Sequence, residues 1–286
     1  MADITASLVK ELRERTGLGM MECKKALVES GGDIDVAVEE LRKSSGMKAA
    51  KKAGRIAADG AVTVRVEGSL GMLLEVNSET DFVARDANFL AFVGRVADAA
   101  LAAGTEDVAA LTAGAIETER QALVQKIGEN LSVRRVRMLS VEGAHIGSYV
   151  HGNNRIAVLV ALHGGDAELA RDLAMHVAAQ NPQFGTPAEV PASFIEKERE
   201  IYTAQAADSG KPADIVAKMV EGRVRKFLAE VSLSEQPFVK DPDITVAKLL
   251  AKGGATLEGF IRFEVGEGIE KEEKDFAAEV AAQLRG

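Results

Sequence analysis

The apolar residues of this 286-residue chain change their spacing at Gly60. Before Gly60 they recur every three or four residues, as in helices. In residues 61–66 apolar and polar side chains instead alternate with period two. A glycine-containing turn follows, and residues 72–76 form a second apolar run. Two such runs around a turn predict a β-hairpin. A chain with helices before this point and a hairpin after it is expected to have an α+β fold.

The hairpin opens the first of two similar units. A helix from about Thr80 is expected to bury an apolar face that includes Phe82, Phe89, Phe92, Val93 and Val96. A further helix over 118–127 is expected to lead into a strand over 131–141. We interpret residues 57–141 as one α+β core unit.

The second unit repeats this plan with an insertion. Its three strands are expected at 146–151, 155–161 and 256–265. A helix through Leu169 and Leu173 follows the second strand, and the third strand comes late in the chain. We interpret residues 142–182 and 238–266 as a second unit related to the first.

Three short helices are expected before residue 47. Thr16-Gly17 ends the first and Gly31-Gly32 the second, while Asp33 is expected to cap the third, which should stop near Gly46. A unit this small has a thin core. Residues 1–56 therefore look like a recognition module with a linker, and the linker is basic at Lys48, Lys51, Lys52 and Arg55. These charges indicate either a solvated linker helix or a docking strip.

The insertion, residues 183–237, has apolar residues at helical spacing on both sides of Ser209-Gly210-Lys211-Pro212. Two amphipathic helices around a tight turn predict an antiparallel helical hairpin. Such a hairpin packs on its own domain or presents one face to a second subunit, so a homodimer through 183–237 is one expectation. Residues 267–286 are expected to form a last amphipathic helix.

Composition excludes several classes of protein. Lys and Arg number 35 against 44 Asp and Glu, and a net charge of −9 argues against direct nucleic-acid binding. Aromatic residues are 4% with no Trp, which disfavours base-stacking surfaces. One cysteine, Cys23, excludes an internal disulfide framework and Cys-rich zinc sites. Without a long apolar run or signal-peptide core, a soluble cytoplasmic protein with no membrane contact is expected.

Motifs of catalysis are absent from the sequence. Neither a phosphate-binding GxxxxGK[ST] loop, nor GxGxxG after a strand, nor HExxH occurs. His145, His151 and His163 lie close in sequence, but they flank different predicted strands without a supporting acidic cluster. The chain is thus expected to be a binding protein, not an enzyme, with no cofactor and no metal site. An enzyme that uses these histidines remains an alternative, as does an RNA-associated module that uses residues 48–55.

The segment 77–85 (NSETDFVAR) has two interpretations. In the structural one, Ser78 or Thr80 caps a helix, Asp81 suits its first turn and Phe82 belongs to the core. In the functional one, a carboxylate beside a large aromatic ring at a rigid strand-to-helix corner forms a wedge for a partner.

Several segments resemble the bacterial translation elongation factor Ts family, in family order and over nearly the whole chain. They are 8–13 (LVKELR), 16–27 (TGLGMMECKKAL), 75–84 (EVNSETDFVA), 126–130 (KIGEN), 147–149 (GSY) with 151–152 (HG), and 259–268 (GFIRFEVGEG). The resemblance implies a three-helix (UBA-like) N-terminal module, two α+β units with small antiparallel sheets, an inserted helical hairpin and a C-terminal helix. It also implies a guanine nucleotide exchange factor that binds elongation factor Tu with GDP, disturbs its Mg²⁺ and phosphate site and needs no cofactor.

The resemblance further implies roles for individual residues. Four would enter the partner's GTPase domain beside the bound Mg²⁺: Thr80, Asp81, Phe82 and Val83. Five would contact the same domain: Met20, Met21, Lys24, Ile127 and Gly128. His151 and Val239 would contact a different domain of the partner. As alternatives, one of the two methionines belongs to the core of the N-terminal three-helix module, and His151 is a solvent-exposed turn residue.

Overall fold

The computed structural model describes residues 4–152, 154–207 and 212–270. Its first three helices form the head: α1 (Ala6–Thr16), α2 (Met20–Glu29) and α3 (Ile34–Lys52). The predicted stop of α1 and the predicted cap of α3 are confirmed, because Gly17 adopts the left-handed conformation with φ 69° and Asp33 accepts hydrogen bonds from the N–H groups of Asp35 and Val36. Leu12, Cys23 and Leu27 are buried in the small core of the head.

The expected end of the third helix near Gly46 is wrong, since α3 continues to Lys52. A glycine inside a helix costs ~1 kcal/mol relative to alanine. Burial offsets this cost: Ala49 is 1% exposed and belongs to the core of the first sheet. The basic linker residues up to Lys52 thus lie on a helix that packs against the body, the part of the chain that follows the linker.

The first sheet consists of β1 (Asp59–Glu67), β2 (Leu70–Ser78) and β3 (Leu131–Ser140), antiparallel and in that order. The predicted hairpin and third strand are confirmed. Between β2 and β3 lie α4 (Ala87–Ala103), the short α5 (Val108–Leu111) and α6 (Ala115–Ile127). Of these, α5 was not predicted.

The helix expected from about Thr80 begins at Ala87 instead, so that expectation is wrong. Asp86 is the N-cap, and its carboxylate accepts from the N–H groups of Asn88 and Phe89. Val83–Arg85 forms only a single 3-10 turn. Phe89 and Phe92 are buried as expected, but Phe82, seven residues before Phe89, is 81% exposed.

The second sheet consists of β4 (His145–His151), β5 (Ile156–Gly164) and β8 (Ala255–Glu264), again antiparallel and in that order. The late third strand is therefore confirmed. Helix α7 (Ala167–Gln180) follows β5 and covers this sheet with Leu173 and Val177.

The two sheets pack face to face. Val62 and Leu73 of the first sheet meet Leu159 and Phe263 of the second in one buried cluster. Gly71 permits this close approach, because a Cβ there would lie 2.9 Å from the methyl carbons of Leu159. Alternate residues point away from this interface toward the helices, so the body is a four-layer helix–sheet–sheet–helix arrangement.

The inserted hairpin consists of α8 (Ala192–Ala207) and α9 (Ala213–Val231), which pack through Val220 and Val224. Pro212 precedes α9 as predicted, whereas the rest of the predicted turn, 209–211, lies outside the described residues. After the hairpin come β6 (Pro237–Phe238), β7 (Asp241–Thr245) and α10 (Val246–Lys252), none of which was predicted.

Most of the predicted C-terminal helix, residues 267–286, lies outside the described residues. Residues 265–268 form a turn, and residues 271–286 lie outside the described part of the chain. Within that described part, every helix is too short or too polar to cross a bilayer.

Candidate functional site

The connection between β2 and α4, residues 79–86, forms an exposed corner. Phe82 at its tip is 81% exposed. The neighbouring Asp81 has a half-exposed side chain that pairs with Arg85 at 2.9 Å. The structural interpretation that places Phe82 in the core is wrong, because the ring projects from the corner.

The two ends of this tip are anchored. Thr80 donates its N–H to Glu129 Oε2 at 3.0 Å and its hydroxyl to Glu129 Oε1 at 2.7 Å. Ser78 Oγ donates to the carbonyl of Thr80 at 3.0 Å. On the other side of the tip, Val83 is 8% exposed and belongs to the core of the first sheet. Thr80 and Val83 thus hold the corner, while Asp81 and Phe82 project from it.

The segment 126–130 at the end of α6 provides these anchors. Gly128 ends the helix with φ 89°, and Ile127 is half-buried against the core. The N–H of Asn130 donates to Glu79 Oε1 at 2.6 Å, one residue before Thr80. The implied contact residues Ile127 and Gly128 therefore lie beside the anchors of the exposed corner.

The same segment holds the linker from the head. Lys52 Nζ donates to the carbonyl of Gly128 at 2.6 Å, and Asn130 Nδ2 donates to the carbonyl of Arg55 at 2.9 Å. Arg55 also lies 3.6 Å from Glu79. These contacts favour the docking-strip interpretation of the basic linker, with the body of the same chain as the docking partner.

Glu22 adds a contact between head and body. Its carboxylate pairs with Lys48 and accepts from Gln125 Nε2 of α6 at 2.7 Å. Burial alone would raise the pKa of Glu22, but the hydrogen bonds from Lys48 and Gln125 lower it below its ordinary value. The carboxylate therefore stays ionised at neutral pH and retains its bonds to Lys48 and Gln125.

The implied head contacts lie on the outer side of α2. Met20 is 59% exposed and Met21 is 74% exposed, and Lys24 is exposed as well. The alternative that one methionine belongs to the head core is wrong, since Cys23 and Leu27 fill that position. A groove between α1 and α2 runs beside these side chains.

Below the corner lies a buried carboxylate that sequence reasoning missed. Glu75 on β2 is fully buried and accepts from the N–H of Gly266 at 2.8 Å, from Asn77 at 3.0 Å and from Arg135 Nε at 2.5 Å. Arg134 Nη1 completes the set at 3.1 Å. Burial would raise the pKa of Glu75, but these donors lower it, so the charge is retained. The network ties β2, β3 and the turn after β8 together.

The remaining two implied contacts lie on the second sheet and its neighbours. His151 is exposed at the end of β4, its Nδ1 is 3.1 Å from Tyr149 Oη, and the two rings stack. Val239 is 37% exposed in the turn between β6 and β7. Neither residue is in the group around Glu129, so the implied contacts form separate surfaces on the head, the corner and the second unit.

A buried histidine, also missed from the sequence, positions Val239. His176 of α7 accepts the N–H of Val239 at Nδ1, 3.1 Å away. Because a backbone N–H can only donate, Nδ1 is unprotonated, so Nε2 carries the proton and donates to Gln236 Oε1 at 3.0 Å. Burial lowers the pKa of His176, although the bond to Gln236 opposes that shift. No local pattern signals this role, since Gln236 is 60 residues away.

The three histidines considered for a metal are not brought together. His145 pairs with Leu162, so the adjacent His163 points to the opposite face of the sheet, and His151 is at the other end of β4. Among residues 4–152, 154–207 and 212–270, no three His, Cys, Asp or Glu side chains are grouped to hold a metal. Cys23 is buried in the head.

Comparison with known proteins identifies relatives. The sequence model of the family described as Elongation factor TS matches residues 79–267. The chain is 67% identical over 288 residues to the curated protein Elongation factor Ts of Hahella chejuensis, and the alignment covers 100% of both chains. It is 64% identical over 283 residues to Elongation factor Ts of Saccharophagus degradans, with 98% of each chain covered.

Proposed function

The chain belongs to the elongation factor Ts family, and from this membership we propose that it is a guanine nucleotide exchange factor for the GTPase elongation factor Tu. It binds the GDP form of that partner and promotes release of GDP, so that GTP can bind. In this role the chain transforms no substrate.

The exposed ring of Phe82 is the observation that carries the proposal. A large aromatic side chain that is 81% exposed loses apolar burial that a core position would provide. Aromatic residues of this kind are frequent anchors at the centre of protein interfaces. Anchors on both sides of the tip keep Phe82 and Asp81 projecting, as a wedge into a partner requires.

The wedge acts on the Mg²⁺ site of the partner. Mg²⁺ bridges protein and phosphate oxygens and offsets their negative charge. Phe82, inserted beside this site, displaces its ligands, and Asp81 adds negative charge near the phosphates. A loss of ~4 kcal/mol of GDP binding energy corresponds to roughly a thousandfold increase in its dissociation constant.

The effect is reciprocal. If the factor weakens nucleotide binding, bound nucleotide weakens the factor by the same free energy, so GTP helps to expel it. The other surfaces then supply affinity that does not depend on the nucleotide. In this proposal, Met20, Met21, Lys24, Ile127 and Gly128 contact the GTPase domain, and His151 and Val239 contact another domain.

Release of a fluorescent GDP analogue from elongation factor Tu tests the proposal. The full chain, at a concentration far below that of the partner, is expected to speed release when excess unlabelled GDP is present. Heat-denatured protein and bovine albumin serve as controls. Release at the spontaneous rate, despite a properly folded chain, would contradict the exchange function.

A further inference from the structure

We propose that Glu129 is the positioning residue of the wedge: its carboxylate fixes Thr80 and so sets the direction in which Asp81 and Phe82 project. The significance for exchange rests on the function proposed above. The positioning itself is a property of the chain alone, and it can be measured without the partner.

Both oxygens of Glu129 are used by one residue. Oε1 accepts the hydroxyl of Thr80 at 2.7 Å, and Oε2 accepts its N–H at 3.0 Å. Hydrogen bonds to an ionised carboxylate are shorter and stronger than those between neutral groups. Two of them on the same residue fix both the backbone and the side-chain torsion of Thr80.

The Thr80 hydroxyl passes this constraint across the tip. While it donates to Glu129, its oxygen accepts the N–H of Val83 at 3.4 Å. The backbone N–H of Ala84 also reaches the carbonyl of Thr80 at 3.3 Å. Glu129 thus holds Thr80, and Thr80 is bonded to Val83 on the other side of the tip. The wedge residues Asp81 and Phe82 lie between them.

The position of Glu129 in the chain is set by the end of α6. Gly128, with φ 89°, turns the backbone out of the helix, and a side chain at that residue would be strained. Asn130, which follows Glu129, donates its N–H to the side chain of Glu79. The carboxylate is therefore delivered by a short segment that is fixed by the end of α6 before Glu129 and bonded to the corner through Asn130 after it.

A wedge without this constraint samples other orientations. If the orientation that fits the partner were populated one time in ten, the apparent exchange activity would fall about tenfold. No contact to the partner would have to be lost. Preorganisation of this kind lowers the cost of ordering the loop during binding. The predicted effect of Glu129 is thus on the population of the productive wedge.

Glu129→Ala is expected to lower kcat/KM for release of the fluorescent GDP analogue about tenfold. Glu129→Gln should recover part of the loss, because its amide oxygen still accepts one hydrogen bond from Thr80. Glu117→Ala is the matched control: Glu117 is also a partly buried carboxylate with two partners, Arg120 and Gln121, but it lies in the first turn of α6, away from the corner. It should exchange like the unchanged chain.

A double-mutant cycle separates positioning from general damage. If Glu129 acts through the wedge, Glu129→Ala should change exchange less than about twofold once Phe82→Ala is present. An equal tenfold loss in both backgrounds would show that Glu129 acts independently of Phe82 and would overturn the inference. If Glu129→Ala proves unstable, Thr80→Val against Thr80→Ser removes and restores the same hydroxyl.

A second measurement needs no partner. The chain has no Trp, so Phe82→Trp introduces a unique fluorophore at the tip. Time-resolved anisotropy of that indole should show added local motion in Glu129→Ala but not in Glu117→Ala. Unchanged motion overturns the positioning role. Added motion in a chain that fails to catalyse exchange would retain the positioning role and reject only the proposed function.

Discussion

The first and second sheets follow one plan down to the position of an irregularity. The middle strands, β2 and β5, both have nine residues. Each pairs with the third strand of its sheet through a bulge that falls after its sixth residue, Glu75 in β2 and Ala161 in β5. A helix follows each middle strand, capped by Asp86 in one unit and by Asp166 in the other.

The units differ in how the middle strand reaches its helix. In the second unit, only Gly165 and Asp166 separate β5 from α7. In the first, residues 79–86 separate β2 from α4, and these additional residues carry Phe82. The comparison shows that the exposed corner is an elaboration of a shared scaffold. The proposed wedge thus lies at the place where the two units differ.

Of the differences between the units, the bulge is expected to have the largest effect, because the first unit has a buried charge there and the second a methyl group. Glu75→Ala removes the buried carboxylate that Arg134 and Arg135 share and should lower the free energy of unfolding by about 3 kcal/mol. Urea unfolding measures this loss. Glu267→Ala is the control, because that half-exposed carboxylate also pairs with Arg135 but should cost less than ~0.5 kcal/mol. Similar losses for both variants would mean that burial of Glu75 contributes little.

The exposed corner should show the opposite pattern, a functional loss without a structural one. Phe82→Ala is expected to lower kcat/KM for GDP release roughly a hundredfold, or ~2.7 kcal/mol, as for an interface anchor. Its thermal stability should stay within about 0.5 kcal/mol of the unchanged chain, because the ring is exposed. Phe89→Ala, in the same aromatic pattern but buried, should instead lose ~3–5 kcal/mol of stability. Melting of Phe82→Ala at a much lower temperature would refute the assignment.

A third test exchanges one residue between the units. Gly147 and Thr63 occupy the same register position, opposite the fifth residue of the middle strand. A Cβ on Gly147 would lie 2.2 Å from the carbonyl group of Ala170, so Gly147→Thr must push α7 away from its sheet. We expect a loss of about 2 kcal/mol in urea unfolding.

The control for this exchange has the opposite sign. Gly222 lies inside α9, and nothing lies within 4 Å of a Cβ placed there. Gly222→Ala should therefore stabilise the chain by up to ~1 kcal/mol. If Gly147→Thr were equally harmless, the close packing of α7 on β4 would not be a real difference between the units.

The smallest effect is the pH dependence of the second unit. Burial lowers the pKa of His176 below 6.5, so the unfolded chain binds a proton that the folded chain resists. The free energy of unfolding is therefore not reduced by His176 above pH 6.5. It decreases as the pH falls from 6.5 toward the lower pKa that His176 has in the folded chain. Thermal melting between pH 7 and 5 should show this slope, and His176→Phe should flatten it. The exposed His163→Gln should keep the slope; if it abolished the slope instead, the assignment to His176 would be wrong.

The first unit is expected to lose stability at a lower pH than the second. The pKa of Glu75 is held below 4.5, so its contribution is present above that value and is lost as pH falls through the folded one. The two units thus lose stability in different pH ranges, and Glu75→Ala should affect only the more acidic one.

Local patterns were sufficient for the six strands of the two three-stranded sheets and for the first two helices of the head. Alternation around residues 67–71, a left-handed Gly17 and a capping Asp33 each depend on near neighbours, and each was predicted correctly. Phe82 was placed on a helix because it lies seven residues before Phe89, which is two helical turns. The signal against that placement was Asp86, a good N-cap between the two rings.

Other features depend on distant partners and could not be read from the sequence. The carboxylate that anchors Thr80 is 49 residues away, and the N–H of Gly266 that meets Glu75 is 191 residues away. Likewise, α3 passes Gly46 because Ala49 finds a place in the core of the first sheet. Tertiary packing decided these cases against local propensity.

The junction between head and body has a consequence for how this molecule can change. Asn130 holds the linker through the main-chain carbonyls of residues 53 and 55, which are groups that every amino acid carries. Side chains of the linker can therefore vary over evolutionary time without loss of that attachment, with Lys52 and Arg55, which contact Gly128 and Glu79, as the exceptions. A head of foreign sequence could be joined to the same body by gene fusion, provided that its linker follows the same path.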